Sequence, residues 1–219
     1  MKARAFFRGL LTGLAALLFS LCCAAAVLFF SDSTYALMPS YADASYFGVD
    51  AEMYPRAAKA LSAYMRGENE TPQITVTAFG AQQLLYNEKE LSHLFDVRQL
   101  ARIIAACAVV FGIVYILLSL KRTKRTPLKA YMCGEAAALL LPAVLAWAAS
   151  TQFYRFFYTL HSLLFTNDNW LLNPYEDVLI TLMPEGYFIR LAIRMALMAV
   201  GLYALLRALP PLIRRLKGN

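Results

Sequence analysis

The chain alternates long apolar runs with polar segments, and four of the runs are long enough to cross a membrane as helices. They cover roughly residues 6–30, 99–120, 130–150 and 188–209. A bilayer core of about 30 Å needs about 20 residues of helix. The few charged residues in these runs stand toward the ends, where long side chains can reach the interface. The pattern predicts an all-α membrane protein, a four-transmembrane-helix bundle that forms a single integral membrane domain over residues 1–219.

Basic residues cluster at three places that a four-span topology brings to the same side of the membrane. They lie within residues 2–8, 121–129 and 214–217. Since cytoplasmic loops carry an excess of Lys and Arg, we expect both termini in the cytoplasm. The formal net charge of +7 is therefore a topology signal, and we expect no nucleic-acid partner. The first run is too long for the apolar part of a signal peptide, so we interpret it as an uncleaved span.

Composition narrows the class of protein further. Hydrophobic residues make up 60% of the 219 residues and charged residues 16%, against about half and about a quarter in soluble domains. A soluble domain is therefore disfavoured, and a disordered chain is excluded. The four cysteines, Cys22, Cys23, Cys107 and Cys133, all stand in apolar runs, so we expect neither a disulfide framework nor a metal site.

Two segments lie on the other side, and they carry nearly all the acidic residues. Residues 31–98 hold nine of the fourteen Asp and Glu side chains, and residues 151–187 hold four. The first segment is long enough for a small extracellular α+β cap. Its pattern predicts an amphipathic helix from Ala51 to Arg66 ended by Gly67, a strand from Gln73 to Phe79, a hairpin partner from Gln82 to Tyr86, and a helix that begins at Asn87 with Glu90 as its capping-box partner.

The second outer segment is rich in aromatic residues, which an interfacial belt would explain. It also holds His161, and the sequence has one other histidine, His93, in the first outer segment. His93 and Asp96 are i, i+3 neighbours on one helix face, and a carboxylate beside an imidazole fixes its tautomer and raises its basicity. The pair indicates acid–base chemistry, while two ordinary polar residues at an interface remain the competing interpretation.

Arginines at i, i+4 spacing mark the outer end of the fourth span. Arg190 and Arg194 have this spacing, and Arg98 and Arg102 repeat it at the second span. Such side chains commonly reach the interface or pair with nearby carboxylates. The functional interpretation is capture of a lipid headgroup or a peptide carbonyl. The sequence has no HExxH, GxSxG or P-loop pattern to suggest other chemistry.

Two stretches resemble a known family. Residues 88–98, EKELSHLFDVR, resemble its E-x-x-H-M-x-D-V-K segment, and residues 160–185, LHSLLFTNDNWLLNPYEDVLITLMPE, resemble its F-H-x-x-F-F-x-N-x-x-W-x-x-x-P-x-x-D-x-L-I-x-x-x-P-E segment. The family is the bacterial lipoprotein intramolecular transacylase, Lit, and its four-span topology with an extracellular cap is the same. The departures are mild: Leu160, Leu94, Arg98 and Asn173 stand where the family usually has an aromatic residue, Met, Lys and often Asp.

The resemblance implies an acyltransferase that works on a lipid-anchored protein. The implied substrate is a lipoprotein whose N-terminal cysteine carries S-diacylglycerol and a free α-amine. An intramolecular O-to-N transfer moves the sn-2 acyl chain to that amine and gives the lyso-form lipoprotein. The implied partners are this diacylglyceryl-lipoprotein N-terminus and the lipid bilayer. The implied location is the bacterial cell membrane, with the active site at the outer face. No cofactor is expected, because an ester becomes a more stable amide.

The resemblance also assigns residues to roles. His161 is expected as the principal base and acid, and His93, oriented by Asp96, as the second catalytic histidine for oxyanion stabilisation or proton return. No covalent enzyme intermediate and no metal are expected. Residues expected to shape the pocket or orient the histidines are Asn167, Trp170, Asp177 and Glu185, and those expected to bind substrate are Arg190, Arg194 and Phe165.

Three other interpretations remain open at the level of sequence. A bis-histidine haem protein in a four-helix membrane bundle would show a Soret band. A non-catalytic lipid-binding or assembly protein would keep its function without its imidazoles. A metal-dependent outer-face hydrolase would lose activity with a chelator.

Overall fold

The computed structural model describes residues 2–120, 127–140, 142–144 and 151–217, with side chains as far as residue 208. The chain is mostly helical, with one small sheet. Its elements in chain order are α1 Lys2–Phe30, α2 Asp32–Tyr35, the 3-10 turns Met38–Ser40 and Ser45–Phe47, α3 Met53–Arg66, β1 Thr75–Ala78, β2 Ala81–Leu84, α4 Glu88–Leu120, α5 Leu128–Ala137, α6 Phe153–Leu164, α7 Val178–Leu182 and α8 Glu185–Lys217.

Three of the described helices are long and apolar enough to cross a membrane: Lys2–Phe30, Glu88–Leu120 and Glu185–Ala208. They contain the first, second and fourth predicted spans. The third predicted span, 130–150, begins in α5, but residues 141 and 145–150 lie outside the described residues. The four-helix count and the cytoplasmic termini therefore stay predictions, as does the description as a single domain.

Helix α4 is longer than a bilayer requires. Its 33 residues rise about 50 Å at 1.5 Å per residue, against an apolar core of about 30 Å. The predicted span takes up residues 99–120, so residues 88–98 form an additional three turns that precede it. His93 stands in these turns.

The described residues form two compact units. Unit 1 comprises residues 1–26, 103–152 and 194–219, and unit 2 comprises residues 27–102 and 153–193. In unit 1, α1 and α5 approach closely through glycines, because a methyl group added at Gly9 or Gly134 would collide with the backbone of the facing helix. The carboxylate of Glu135 is paired through both oxygens with the guanidinium of Arg207. The hydroxyl of Tyr115 donates to the Leu206 carbonyl at 3.0 Å.

Unit 2 is built around an apolar core. Its fully buried side chains include Met38, Leu61, Met65, Leu182 and Tyr187. The amphipathic α3 supplies several of these side chains, since residues at i, i+3 and i+4 share one helix face. It ends at Gly67, whose left-handed φ of 86° lets the chain turn away. The sequence-based prediction of this helix and its glycine stop is confirmed.

The predicted hairpin is also present. Strands β1 and β2 pair antiparallel from Thr75 opposite Leu84 to Ala78 opposite Ala81. The turn residues Phe79 and Gly80 both have positive φ, 50° and 81°, as a two-residue hairpin turn of the primed type requires. The second strand ends at Leu84, although Leu85 still donates its backbone N–H to the Ile74 carbonyl at 3.0 Å, and Tyr86 pairs its backbone with the Gln73 side chain. The first strand is shorter than the predicted 73–79, because Phe79 belongs to the turn.

The start of α4 carries the predicted capping box. The Glu90 backbone N–H donates to the Asn87 side-chain oxygen at 2.9 Å, and the Asn87 N–H donates to the Glu90 carboxylate at 2.8 Å. Both bonds satisfy N–H groups that the first helical turn leaves without partners. The cap fixes where α4 begins and therefore the direction in which His93, one turn later, projects.

Candidate active site

Unit 2 brings the two histidines together. His93 lies on α4 and His161 on α6, and their ring centroids are 6.1 Å apart with the ring planes tilted by 42°. His93 is 8% exposed, and His161 is half-buried. Sequence spacing alone gives no such contact, because 67 residues separate the two positions. The arrangement is two imidazoles close enough to act on neighbouring atoms of one bound molecule.

The surroundings of His161 define its tautomer. Its Nδ1 lies 2.9 Å from the Phe157 carbonyl oxygen, one turn earlier on α6. A carbonyl oxygen only accepts hydrogen bonds, so in the neutral ring Nδ1 carries the proton and Nε2 carries the lone pair. The Phe157 ring stacks 3.9 Å from the imidazole, and the Trp170 ring lies at 5.5 Å. Aromatic packing therefore holds this ring in place.

The His93 ring packs against the aromatic ring of Phe165, and in the described structure its Nδ1 atom has no hydrogen-bond partner. The Phe165 ring meets it edge-on at 5.2 Å, and the same phenylalanine lies 5.6 Å from His161. Among the residues that the structure describes, the buried Nδ1 of His93 has no hydrogen-bond partner. A buried polar atom without a partner is uncommon, and this one lies on a residue that contacts the second histidine.

Both imidazoles are neutral at neutral pH. Burial lowers the pKa of His93 to about 4, with a further lowering from His161 and an opposing effect from Asp96. Burial also lowers the pKa of His161 below its ordinary value, although its bond to the Phe157 carbonyl opposes the shift. Because desolvation disfavours the charged form of histidine, burial favours the neutral form of both rings, in which one ring nitrogen carries a free lone pair.

Asp96 forms its hydrogen bond with the segment that follows α6. Its carboxylate accepts from the Asn167 side-chain nitrogen at 2.8 Å, and the charge of Asp96 raises the pKa of His93. The structure thus brings together Asp96 and Asn167, two residues singled out in the sequence. A direct orienting role of Asp96 on the His93 ring stays a prediction.

Further polar side chains of α4 bind the same segment, residues 167–179. Asp177 is buried and accepts from the Asn87 side chain at 2.8 Å and from Lys89 at 3.0 Å. Lys89 also donates to the Leu171 carbonyl at 2.6 Å. Burial opposes ionisation of Asp177, but hydrogen bonds from Asn173, Asn87 and Lys89 hold its pKa below the ordinary value. Asp177 is therefore a charged anchor between the segment and α4.

Glu90 is a member of this arrangement that the sequence indicated only as a capping residue. Its side chain is 1% exposed. One carboxylate oxygen closes the capping box, and the other accepts from the Leu179 backbone N–H at 2.6 Å. Burial raises the pKa of Glu90 to about 7, although the two backbone hydrogen bonds favour the charged form and oppose this shift. The sequence feature that could have identified Glu90 as part of the site is its place in the E-x-x-H pattern, three residues before His93.

In the described part of the chain, three of the predicted site residues have no ring contact or hydrogen bond with the other predicted site residues. Glu185 begins α8 and is exposed, Arg190 is exposed and Arg194 is half-buried. Ring contacts join His93, His161, Phe165 and Trp170, and hydrogen bonds join Asp96 with Asn167 and Asp177 with α4. Within the described ranges, no group of three or more His, Cys, Asp and Glu side chains is arranged to hold a metal ion.

Comparisons with known proteins agree on one family. The family model described as lipoprotein intramolecular transacylase Lit matches residues 10–188. A solved structure of the membrane integral lipoprotein intramolecular transacylase Lit from Bacillus cereus shares the fold, with a TM-score of 0.70, 18% sequence identity and 99% of each chain covered. No curated protein sequence matched.

Two further solved structures of the Bacillus cereus protein carry a substitution at a histidine. The form with arginine in its place has a TM-score of 0.63 and covers 98% of this chain and 94% of that chain. The form with alanine has a TM-score of 0.64 and covers 97% of this chain and 96% of that chain. Both are 18% identical to this chain, so the likeness extends to the fold.

Proposed function

The chain belongs to the lipoprotein intramolecular transacylase Lit family, and on that premise we propose that it converts S-diacylglyceryl lipoproteins to their lyso form. The α-amine of the N-terminal cysteine attacks the sn-2 ester, a C–N amide bond forms, and the bond between the acyl carbon and the sn-2 oxygen breaks. One N–H proton of the neutral amine ends on the sn-2 oxygen. The product is an isomer of the substrate, so the reaction needs no co-reactant.

The approach of two imidazoles, one buried and one half-buried, is the observation that carries this proposal. An α-amine has a pKa near ~8 and is mostly protonated at neutral pH. The lone pair on Nε2 of His161 can accept a proton from it, and the resulting imidazolium can return one to the departing sn-2 oxygen. The amine nitrogen, the oxyanion and the sn-2 oxygen are all bonded to one carbon in the tetrahedral intermediate. Two rings 6.1 Å apart can therefore serve different atoms of that intermediate.

His93 supplies the second polar contact. Its Nδ1 is buried and has no partner among the described residues, so a bound substrate would satisfy it. If this nitrogen carries the ring proton, it can donate to the developing oxyanion, a contact whose removal typically costs about 2.7–4 kcal/mol. If it carries the lone pair, it can share the proton transfers. Phe165 lies against both rings and is placed to confine an acyl chain or glyceryl group beside them.

Orientation is the other requirement of the reaction. The attack closes an eight-membered ring made of the amine nitrogen, two cysteine carbons, the sulfur, two glyceryl carbons, the ester oxygen and the acyl carbon. Holding reacting groups in place can contribute up to about 7–11 kcal/mol. We assign this positioning to the aromatic enclosure with Trp170 and to the segment anchored by Asn167 and Asp177. Arg190 and Arg194 are proposed to bind the glyceryl or peptide carbonyls, and Glu185 to support the start of α8.

The proposed setting is the bacterial cell membrane, with the histidines at the outer face and both termini in the cytoplasm. The three long apolar helices support membrane insertion, and the distribution of Lys and Arg supports the orientation. A substrate anchored by two acyl chains would reach the site from the bilayer.

The test uses a host that makes only diacylglyceryl lipoproteins with free amines. The chain is expressed there in wild-type form and as His93→Ala, His161→Ala and the matched control Ser162→Ala, whose hydroxyl bonds only to the Thr159 carbonyl in the described structure. Because the product is an isomer, the N-terminal lipopeptide is fragmented by tandem mass spectrometry. We expect an acyl chain on the amine in the wild type and Ser162→Ala, and at least about 10²-fold less in either histidine variant.

Other results of this experiment would contradict parts of the proposal. An N-acyl fragment that persists undiminished in one histidine variant would remove that residue from the mechanism while keeping the reaction. A free amine in cells that contain well-expressed wild-type protein would reject the transacylase function. In that case a Soret band in the purified protein would favour the haem-binding alternative, and its absence would favour a lipid-binding role.

A further inference from the structure

The segment that follows α6 is attached to α4 by a series of side-chain hydrogen bonds. Asp96 binds Asn167, and Ser92 binds the Asn169 side chain at 2.9 Å. Lys89 and Asn87 bind nearer the end of the segment, at Leu171 and Asp177. These residues, at or just before the start of α4, flank His93 along the chain, and Trp170 of the segment contacts the His161 ring. The hydrogen bonds therefore link the two halves of the histidine pair.

Glu90 is the most deeply buried side chain in this series. Its carboxylate accepts hydrogen bonds from two backbone N–H groups that belong to different parts of the chain. One is that of Asn87, just before α4, and the other is that of Leu179, in the first turn of α7. Residues three apart share one helix face, so Glu90 is a neighbour of His93 on α4. The bond to Leu179 is short, at 2.6 Å, and buried. Charge-assisted bonds of this kind are stronger than neutral ones.

We propose that Glu90 is a positioning residue, whose carboxylate clamps the start of α7 to the α4 turn that carries His93 and so fixes the spacing of the two imidazoles. This inference rests on the proposed transacylase function. Glu90 does not touch the reacting atoms. It acts by holding the end of the 167–179 segment, from which Trp170 reaches His161 and Asn167 reaches Asp96.

The clamp depends on the charged form of the carboxyl group. Both oxygens accept hydrogen bonds from N–H groups, so protonation places a hydroxyl opposite one of the donors and removes one bond. The charged groups that act on Glu90 are Lys89, whose positive charge favours the charged form, and Asp177, whose negative charge disfavours it. Tyr86 is neutral over this range, because burial and Glu90 raise its pKa well above the ordinary value. Burial places the pKa of Glu90 at about 7. The clamp therefore weakens as the pH falls through neutrality.

Glutamine imitates the protonated form, which gives a direct experiment. Wild type, Glu90→Gln and Glu88→Gln are reconstituted in lipid nanodiscs with a synthetic S-diacylglyceryl lipopeptide, and N-acyl product is measured from pH 5.5 to 9. Glu88 is a matched control, because it lies in the same helical turn but is exposed. Titration of the substrate amine and of the histidines cancels when the wild-type rate is divided by the rate of each variant at the same pH.

We expect the ratio of the wild-type rate to the Glu90→Gln rate to be near one at pH 5.5. The ratio should rise with pH, with a midpoint near pH 7. At the alkaline end it should reach about tenfold or more, in kcat and not in KM. The Glu88→Gln ratio should stay near one throughout. A Glu90→Gln ratio that is constant with pH would overturn the positioning role and leave a merely structural one.

A second variant covers the case in which Glu90→Gln does not fold. Glu90→Asp keeps the charge but is one methylene too short to reach Leu179, and it should lose about tenfold in kcat at pH 8.5. Wild-type turnover in Glu90→Asp would reject the clamp. Wild-type protein that makes no N-acyl product would instead reject the proposed function, so the two failures are distinguishable.

Discussion

In unit 1 the long helices turn large apolar side chains outward, whereas unit 2, although it also exposes some, packs a cluster of large side chains into an interior core. Ile103, Val109 and Leu197 of the long helices are exposed, while Met38 and Leu61 of unit 2 are almost completely buried. Lipid chains are as apolar as leucine, so helices in a bilayer gain little from hiding these groups from lipid. In water, by contrast, burying large apolar side chains is favourable.

The difference changes what holds each unit together. Unit 1 relies on close backbone contact at glycines and on the buried pair of Glu135 and Arg207. Unit 2 has an apolar core, and its buried polar groups are concentrated around the histidines. Polar groups thus stabilise unit 1 directly, while in unit 2 they also determine where the catalytic candidates lie. Substitutions of the same kind should therefore have different consequences in the two units.

The largest effect is expected from breaking the buried pair in unit 1. Glu135→Ala leaves the partly exposed Arg207 guanidinium without its buried carboxylate. Loss of one partner of a fully buried pair typically destabilises by about 3–5 kcal/mol, and we expect the lower end of that range because Arg207 keeps contact with its surroundings. Thermal unfolding in detergent measures it. The control is the double variant Glu135→Gln with Arg207→Gln, which removes both charges and should recover much of the loss. Equal destabilisation in the single and double variants would contradict this account.

The next effect is a pH dependence that belongs to unit 2. The folded-state pKa of His93 is lowered to about 4, below the ordinary value of about 6.5. Folding therefore favours the neutral ring. Its stabilising contribution is complete above pH 6.5 and is lost as the pH falls from 6.5 toward 4, by roughly 3 kcal/mol. We expect His93→Gln, which cannot titrate, to flatten the melting temperature over this interval. An unchanged slope would show that another group is responsible.

A smaller effect is expected from added volume in unit 1. Gly134→Ala places a methyl group against the Phe6 carbonyl of α1, and overpacking typically costs about 1–3 kcal/mol. Gly201→Ala is the matched control, because a Cβ there meets nothing within 4 Å. Melting temperatures should fall for the first variant and stay level or rise slightly for the second. Similar values for both would argue against close packing of α1 and α5.

The smallest predicted effect concerns the start of α4. Asn87→Ala removes the side chain that caps the helix and binds Asp177, and loss of an N-cap typically costs about 0.5–2 kcal/mol. Gln82→Ala in the exposed strand β2 should cost less and serves as control. Hydrogen exchange of the first α4 amides should increase in Asn87→Ala alone. Unchanged protection there would show that Glu90 and Lys89 are sufficient to hold this end.

The comparison also separates what could be predicted from what could not. The α3 helix with its Gly67 stop, the β-hairpin that turns at Gly80, and the capping box of Asn87 and Glu90 each depend on residues within a few positions of one another. The apolar length of three spans is likewise a local property. Local steric and hydrogen-bonding rules are sufficient for such features, and the structure confirms them.

The candidate site required both kinds of information. The sequence identified His93 and His161 and, through the family resemblance, the residues around them, but spacing could not show that the rings approach to 6.1 Å. Nor could it show that Glu90 binds Leu179 or that Asn167 binds Asp96. These contacts join positions about 70 to 90 residues apart, and the packing of the intervening elements decides them.

The sequence by itself determined the apolar runs, the places along the chain where charges cluster, the local caps and turns, and the residue types capable of acid–base chemistry. Only the tertiary structure decided that the lone pair of neutral His161 lies on Nε2, because that assignment depends on the contact of Nδ1 with the Phe157 carbonyl. The same holds for the low pKa of His93 and the raised pKa of Glu90, since burial is a property of everything that surrounds a side chain. Composition fixes which groups can titrate, and the packing around them fixes the pH at which they do.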